Sequence, residues 1–145
     1  MAKKKKVPQQ QALSPERYIK EKARLLPIVE CWITDGWDKC GLGTAIVVRQ
    51  HKNGNYTLGI YMFDTFCCGL TDSLYHFNVP EYEYREMLEE GCATLEMNPI
   101  SYEELHNLIY GAVAFAEEAG LGPHSSFKLT QYILEEDTDE IPLIE

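Results

Sequence analysis

Gly43-Thr44-Ala45-Ile46-Val47-Val48-Arg49-Gln50-His51-Lys52-Asn53-Gly54-Asn55-Tyr56-Thr57-Leu58-Gly59-Ile60-Tyr61-Met62-Phe63-Asp64 decides the fold class. The β-branched run over 43–50 and the aromatic-rich run over 56–64 suit a pleated, half-buried surface. Between them lies Asn53-Gly54, which supplies the positive φ angles that a tight connection needs. The stretch predicts an antiparallel hairpin. On its N-terminal side Ile28–Ile33 reads as a strand, followed by an Asp35-Gly36 turn. On its C-terminal side 65–71 reads as an irregular corner and Asp72–Phe77 as a fourth strand, from its mixed polar and apolar residues.

Helices bracket these strands. Ser14-Pro15 is a start signal, and Pro27 ends the first helix near Leu26. A second helix is expected over Glu81–Glu90, closed by Gly91 in the left-handed cap position. The next carries the strongest periodicity. Ser101 and Glu104 form a capping box, and Leu105, Leu108, Ile109, Ala112, Phe115, Ala116 and Ala119 follow at helical spacing before Gly120. A last helix is expected from Ser125 or Ser126 through Leu134, with a strand as the alternative. Ile141–Ile144 is read as an edge segment returning to the body.

Strands followed by helices indicate an α+β fold. The expectation is a four-stranded, mainly antiparallel sheet packed against the amphipathic helix that begins near Ser101, with N-terminal and C-terminal helices. Residues 1–13 are expected to be a disordered basic arm and 14–145 a single α+β domain, since 145 residues allow one sizeable core. No glycine-rich phosphate loop follows any strand, which argues against a nucleotide-binding fold.

Charge is distributed unevenly. Residues 1–24 hold eight basic against two acidic residues, a balance of +6; residues 25–145 hold five against twenty-one, −16, for −10 overall. Lys3, Lys4, Lys5 and Lys6 suit phosphate contacts without base readout. The bland alternative is a solvated tail, or one folded across its own acidic body. No aromatic residue interleaves the lysines, so stacking on a single strand is not indicated there. No apolar run is long enough to span a bilayer, and an apolar leader is missing from the start. With an odd count of five cysteines, this reads as a cytoplasmic protein with reduced thiols.

The five cysteines (Cys31, Cys40, Cys67, Cys68, Cys92) and four histidines (His51, His76, His106, His124) show no zinc-type spacing. The adjacent pair Cys67-Cys68 is insufficient by itself, and no metal or cofactor is assigned. Each cysteine is expected to act as a small buried hydrophobe, with Phe66-Cys67-Cys68 plugging one end of the sheet. A chemical alternative uses the same corner: Cys67 as nucleophile, or Asp64 and Asp72 as a carboxylate pair, with His124 or His106 as base. His106 is otherwise expected at the core edge or in solvent, and His124 in a local hydrogen bond to backbone. Tyr82, Tyr84, Tyr102, Tyr110, Trp32 and Trp37 are either interface aromatics or half-buried core margins.

The stretches Tyr61–Asp72, Tyr110–Gly120 and Pro123–Phe127 resemble an uncharacterised bacterial family of hypothetical proteins, over most of 15–135. Some members carry a cysteine-rich SEC-C-type metal motif; this sequence lacks it, so zinc binding is not implied. No activity of that family is established, and the resemblance implies only a bacterial cytoplasmic protein. The leading expectation is therefore a non-enzymatic interaction module. Its acidic body docks a protein partner, and its Lys3–Lys6 arm touches nucleic acid or ribosome. The alternative is a hydrolase or nuclease built on Asp64, Cys67, Asp72 and His124.

Overall fold

The structure, a computed structural model, describes residues 13–94 and 96–137, the side chains of 91–94 excepted. Helix α1 (Pro15–Lys22) begins as its signals dictate, with the Ser14 hydroxyl accepting from the Arg17 amide at 3.2 Å. A 3-10 turn, Ala23–Leu25, completes it before Pro27. Strand β1 (Ile28–Thr34) leads to a single helical turn, α2 (Trp37–Cys40), bounded by Gly36 and Gly41 in left-handed conformations. Strands β2 (Leu42–Gln50) and β3 (Tyr56–Asp64) form the expected hairpin. Gly54 lies at φ +92°, and the His51 amide donates to the Asn55 carbonyl at 2.8 Å.

Strand β4 (Gly69–Val79) is longer than expected at both ends. Helix α3 (Glu81–Thr94) runs through Gly91 instead of stopping there. A short strand, β5 (Met97–Pro99), precedes α4 (Tyr102–Glu118), whose Ser101 cap accepts from the Glu104 amide at 3.2 Å. The last helix is brief: α5 (Phe127–Thr130) runs into a 3-10 turn, Gln131–Ile133.

The class is α+β, with one correction. Among the described residues the sheet has five antiparallel strands rather than four, in the order β4-β3-β2-β1-β5. The fifth pairs with β1 through Trp32–Pro99, Ile33–Asn98 and Thr34–Met97. Three residues carry no readable period, and Pro99 signals a break rather than a strand. An outermost strand is where proline is tolerated, because one row of amides there has no partner to reach.

This order also explains α3. β4 and β5 lie on opposite edges, so the chain must cross the sheet between them. It does so over the face bearing Val48, Tyr56, Leu58 and Val79, to which α3 adds Tyr84, Met87 and Leu88. The other face carries the larger core: Ile33, Ala45, Val47, Tyr61, Phe63 and Leu70 against Leu105, Ile109 and Val113 of α4, Ile19 and Ala23 at the front, and Phe127, Ile133 and Leu134 at the back. Each fully buried side chain of this kind contributes about 1.5–3 kcal/mol, several times the effect of a helix cap.

A β-bulge shapes the corner side of β4. Met62 faces Asp72 and Phe63 faces Leu70, so Thr71 is an extra residue. Leu70 and Ser73, three apart, therefore both turn inward and are buried. The arm lysines Lys3–Lys6 and the segment 141–144 lie outside the described residues.

Candidate functional site

The corner after β3 is solvent-facing, which corrects the expectation of a core plug. Phe66 is 65% exposed, and Cys40, Cys67 and Cys68 are exposed. Of the cysteines with described side chains only Cys31 is buried; burial pushes its thiol up to about 12, so it stays protonated and inert. The corner is exposed because it has nothing to plug. Phe63 and Leu70, on either side of it, already fill that end of the core.

Two anchors hold the corner. The Gly41 carbonyl accepts from the Thr65 amide at 2.7 Å and from its hydroxyl at 3.1 Å. Gly69, at φ +70°, lies so close to α4 that an added Cβ would sit 2.8 Å from Ala116 Cβ. Within the turn, Asp64 Oδ1 accepts from the Phe66 amide at 3.0 Å. One donor atom each from Asp64, Cys67 and Cys68 then lie within 4.8 Å of one another. The Cys68 thiol is raised above its ordinary value, first by its hydrogen bond with Cys67, then by charge on Cys67, with Asp64 adding to the effect. A raised thiol is a weaker nucleophile at neutral pH.

The other two residues of the catalytic alternative form a separate pair. His124 Nδ1 lies 3.5 Å from Asp72 Oδ1 and 2.9 Å from Ser126 Oγ, and it accepts from the Ser126 amide at 3.2 Å. The local backbone bond expected for His124 is thus present. Carboxylate and hydroxyl share one ring nitrogen, whereas a relay needs them on opposite nitrogens. The Ser126 hydroxyl is also held at 2.7 Å by Ser73 Oγ, which contacts Thr130 Oγ1 at 2.7 Å. Neither His124 nor Asp72 belongs to the Asp64–Cys67–Cys68 cluster among the described residues. A cavity of about 420 Å³ lined by Tyr110, His124, Phe127 and Lys128 does not include Cys67, Asp64 or Asp72.

His106 corrects a second expectation, being 1% exposed. Its ring sits between Tyr102 and Tyr110, and its nitrogens meet Tyr102 Oη at 2.8 Å and Asp137 Oδ1 at 3.2 Å. Tyr84 is fully buried, with its hydroxyl on the Glu30 carboxylate and accepting from Trp32 Nε1 at 3.1 Å. Tyr102 and Tyr110 pack against the core, and Tyr82 alone of the four tyrosines is largely exposed. Tyr102 and Tyr110 are thus core margins, whereas Tyr84 is core and Tyr82 faces solvent.

A different group converges unannounced. A cavity of about 640 Å³ opens between α1 and the β2–β3 turn, lined by Tyr18, Lys22, Leu25, Leu26, His51, Lys52, Asn53, Phe77 and Asn78. The Tyr18, His51 and Phe77 rings form a mutual triangle with centroids 5.2–5.6 Å apart. Burial lowers the His51 pKa, favouring a neutral ring, and His51 Nε2 sits 2.6 Å from Thr57 Oγ1. Two lysines, Lys22 and Lys52, thus share a cavity with three half-buried rings. The helical spacing of Tyr18, Lys22 and Leu25 was readable; that this face lies beside the hairpin tip was not.

The chain matches no protein-family model, no curated protein and no solved structure. Among the described residues, no helix is long and apolar enough to cross a membrane.

Proposed function

We propose that this chain is a non-enzymatic interaction module of the bacterial cytoplasm whose basic front end contacts a polyanion, RNA, DNA or ribosome, while its acidic body docks a protein. The observation that supports it is the position of Lys22 and Lys52 on the Tyr18–His51–Phe77 cavity, which joins one cation of the +6 balance of residues 1–24 to one from the hairpin tip. Cations on either side of ring faces suit phosphates flanking a base. The acidic remainder repels the same polyanion, so contact is confined to this end. The hydrolase or nuclease alternative draws less from the geometry. Cys67 and Asp64 stand in one cluster, and Asp72 and His124 in another pairing.

The test is binding of a fluorescent single-stranded oligonucleotide by the full chain across a salt series. Deleting residues 2–11 is expected to flatten the dependence of log affinity on log salt by about 0.7 for each lost single-strand phosphate contact. Lys22→Ala with Lys52→Ala is expected to flatten it further and weaken binding at every salt concentration. Binding unaltered by both changes rejects the reading.

A further inference from the structure

We propose that Asp64, Cys67 and Cys68 form a binding site for a thiophilic divalent cation of the zinc class. The adjacent thiols, insufficient by themselves, gain a third donor where the turn brings back the carboxylate that ends β3. Their ligand atoms lie within 4.8 Å of one another. A tetrahedral zinc with metal–sulfur bonds of about 2.3 Å and a metal–oxygen bond of about 2.0 Å holds its sulfurs about 3.8 Å apart and each sulfur about 3.5 Å from the oxygen. The site therefore needs a contraction of at most roughly 1.3 Å, within reach of side-chain rotation in an exposed turn.

Three further observations favour a cation there. The donor set is right for the class: two thiolates prefer borderline and soft ions, and the carboxylate adds charge. The carboxylate is oriented, because Asp64 Oδ1 already accepts from the Phe66 amide, as outer hydrogen bonds orient metal ligands elsewhere. The corner is fixed at both ends, by Thr65 on Gly41 and by Gly69 against Ala112 and Ala116, so the three donors start near one another. Once both thiols ionise, three anionic donors side by side repel one another. A divalent ion would replace two thiol protons and cancel the repulsion. With three protein ligands, the fourth tetrahedral position is left to water or to a partner's donor.

The probe is Co2+, whose tetrahedral thiolate complexes absorb strongly, titrated into the full reduced chain with a phosphine reductant. One equivalent is expected to produce a sulfur charge-transfer band that Zn2+ abolishes. Cys67→Ser and Cys68→Ser should each weaken binding by at least about tenfold, and Asp64→Asn should weaken it while retaining the band. Cys40→Ser, the matched exposed thiol, should leave binding unchanged. A parallel measurement needs no variant: Zn2+ should protect Cys67 and Cys68 of the intact chain from iodoacetamide, read by peptide mass spectrometry. Absence of the band, its survival in the Cys67→Ser/Cys68→Ser double variant, its loss in Cys40→Ser, or unprotected thiols at saturating Zn2+ would each overturn the assignment.

Discussion

The Arg49 guanidinium and the Glu135 carboxylate meet at 2.9 Å across 86 positions of chain, joining the central hairpin to the segment after the last helix. Arg49 is 1% exposed, and its other two nitrogens each donate as well. Nε reaches the Ile133 carbonyl and Nη1 the Leu26 carbonyl, both at 2.6 Å. One planar fork thus satisfies the carbonyls where two separate 3-10 turns end. Buried charge is tolerable only when paired and hydrogen-bonded in this way.

Arg49→Ala is expected to cost about 3–5 kcal/mol, read as a shift in the urea midpoint, because it orphans two carbonyls as well as removing a charge. Arg49→Lys should fail almost as badly, since an ammonium cannot span three divergent acceptors. Glu135→Gln should cost less, about 1–3 kcal/mol, because its amide oxygen can still accept from Arg49 and that side chain reaches solvent. A loss below about 1 kcal/mol for Arg49→Ala would contradict this account.

The Tyr102 hydroxyl lies 2.8 Å from Nδ1 of the buried His106. That hydroxyl also accepts from the Glu135 amide at 2.6 Å, and its own proton is therefore expected on His106 Nδ1. That leaves the ring proton on Nε2, facing Asp137. Nitrogen NMR should show the Nε2–H form. Tyr102→Phe should remove the preference and cost about 1–3 kcal/mol by leaving a buried acceptor unpaired.

Gly69 is required twice, by a φ of +70° and by the approach of α4. In Gly69→Ala the new methyl would lie 2.9 Å from the Ala112 carbonyl oxygen, backbone that cannot easily yield. The expected loss is at least about 2 kcal/mol. Gly54→Ala is the control. Its φ is +92° but nothing lies within 4 Å, so only backbone strain of roughly 1 kcal/mol is expected. Equal losses in the two variants would show that contact with α4 is immaterial.

His51 should make stability fall in mild acid. Burial lowers its pKa below 6.5, so the unfolded chain binds its proton more readily. Its contribution is complete above pH 6.5 and is lost as pH falls through the lowered folded value. Protonation would place a cation beside Lys22 and Lys52 in the cavity lined by Tyr18 and Phe77. His51→Gln should reduce the slope of unfolding free energy against pH in that window. An unchanged slope would remove His51 as its source.

The bland reading of the cysteines failed where local pattern was silent about neighbours. Cys67 and Cys68 look like core residues beside Phe66, yet Phe63 and Leu70 fill that end of the core and leave the corner in water. His106 failed in the opposite direction. It lies off the leucine stripe of α4, but Tyr102, Tyr110 and the chain near Asp137 close over it. Asp64 and Asp72 read as one constellation in the sequence, yet Asp64 joins Cys67 and Cys68 while Asp72 meets His124.

Sequence alone determined the β2–β3 hairpin, the starts of α1 and α4 and the α+β class, because caps, tight turns and alternation act over a few residues. It also determined the charge imbalance on which the proposed polyanion contact rests. Only tertiary structure decided the fifth strand, the burial of Arg49, the Tyr18–His51–Phe77 cavity and the meeting of Asp64 with Cys67 and Cys68. Each depends on which distant surface arrives to cover a residue or leaves it open. That is settled by packing the whole chain, where burying one side chain outweighs any single local preference.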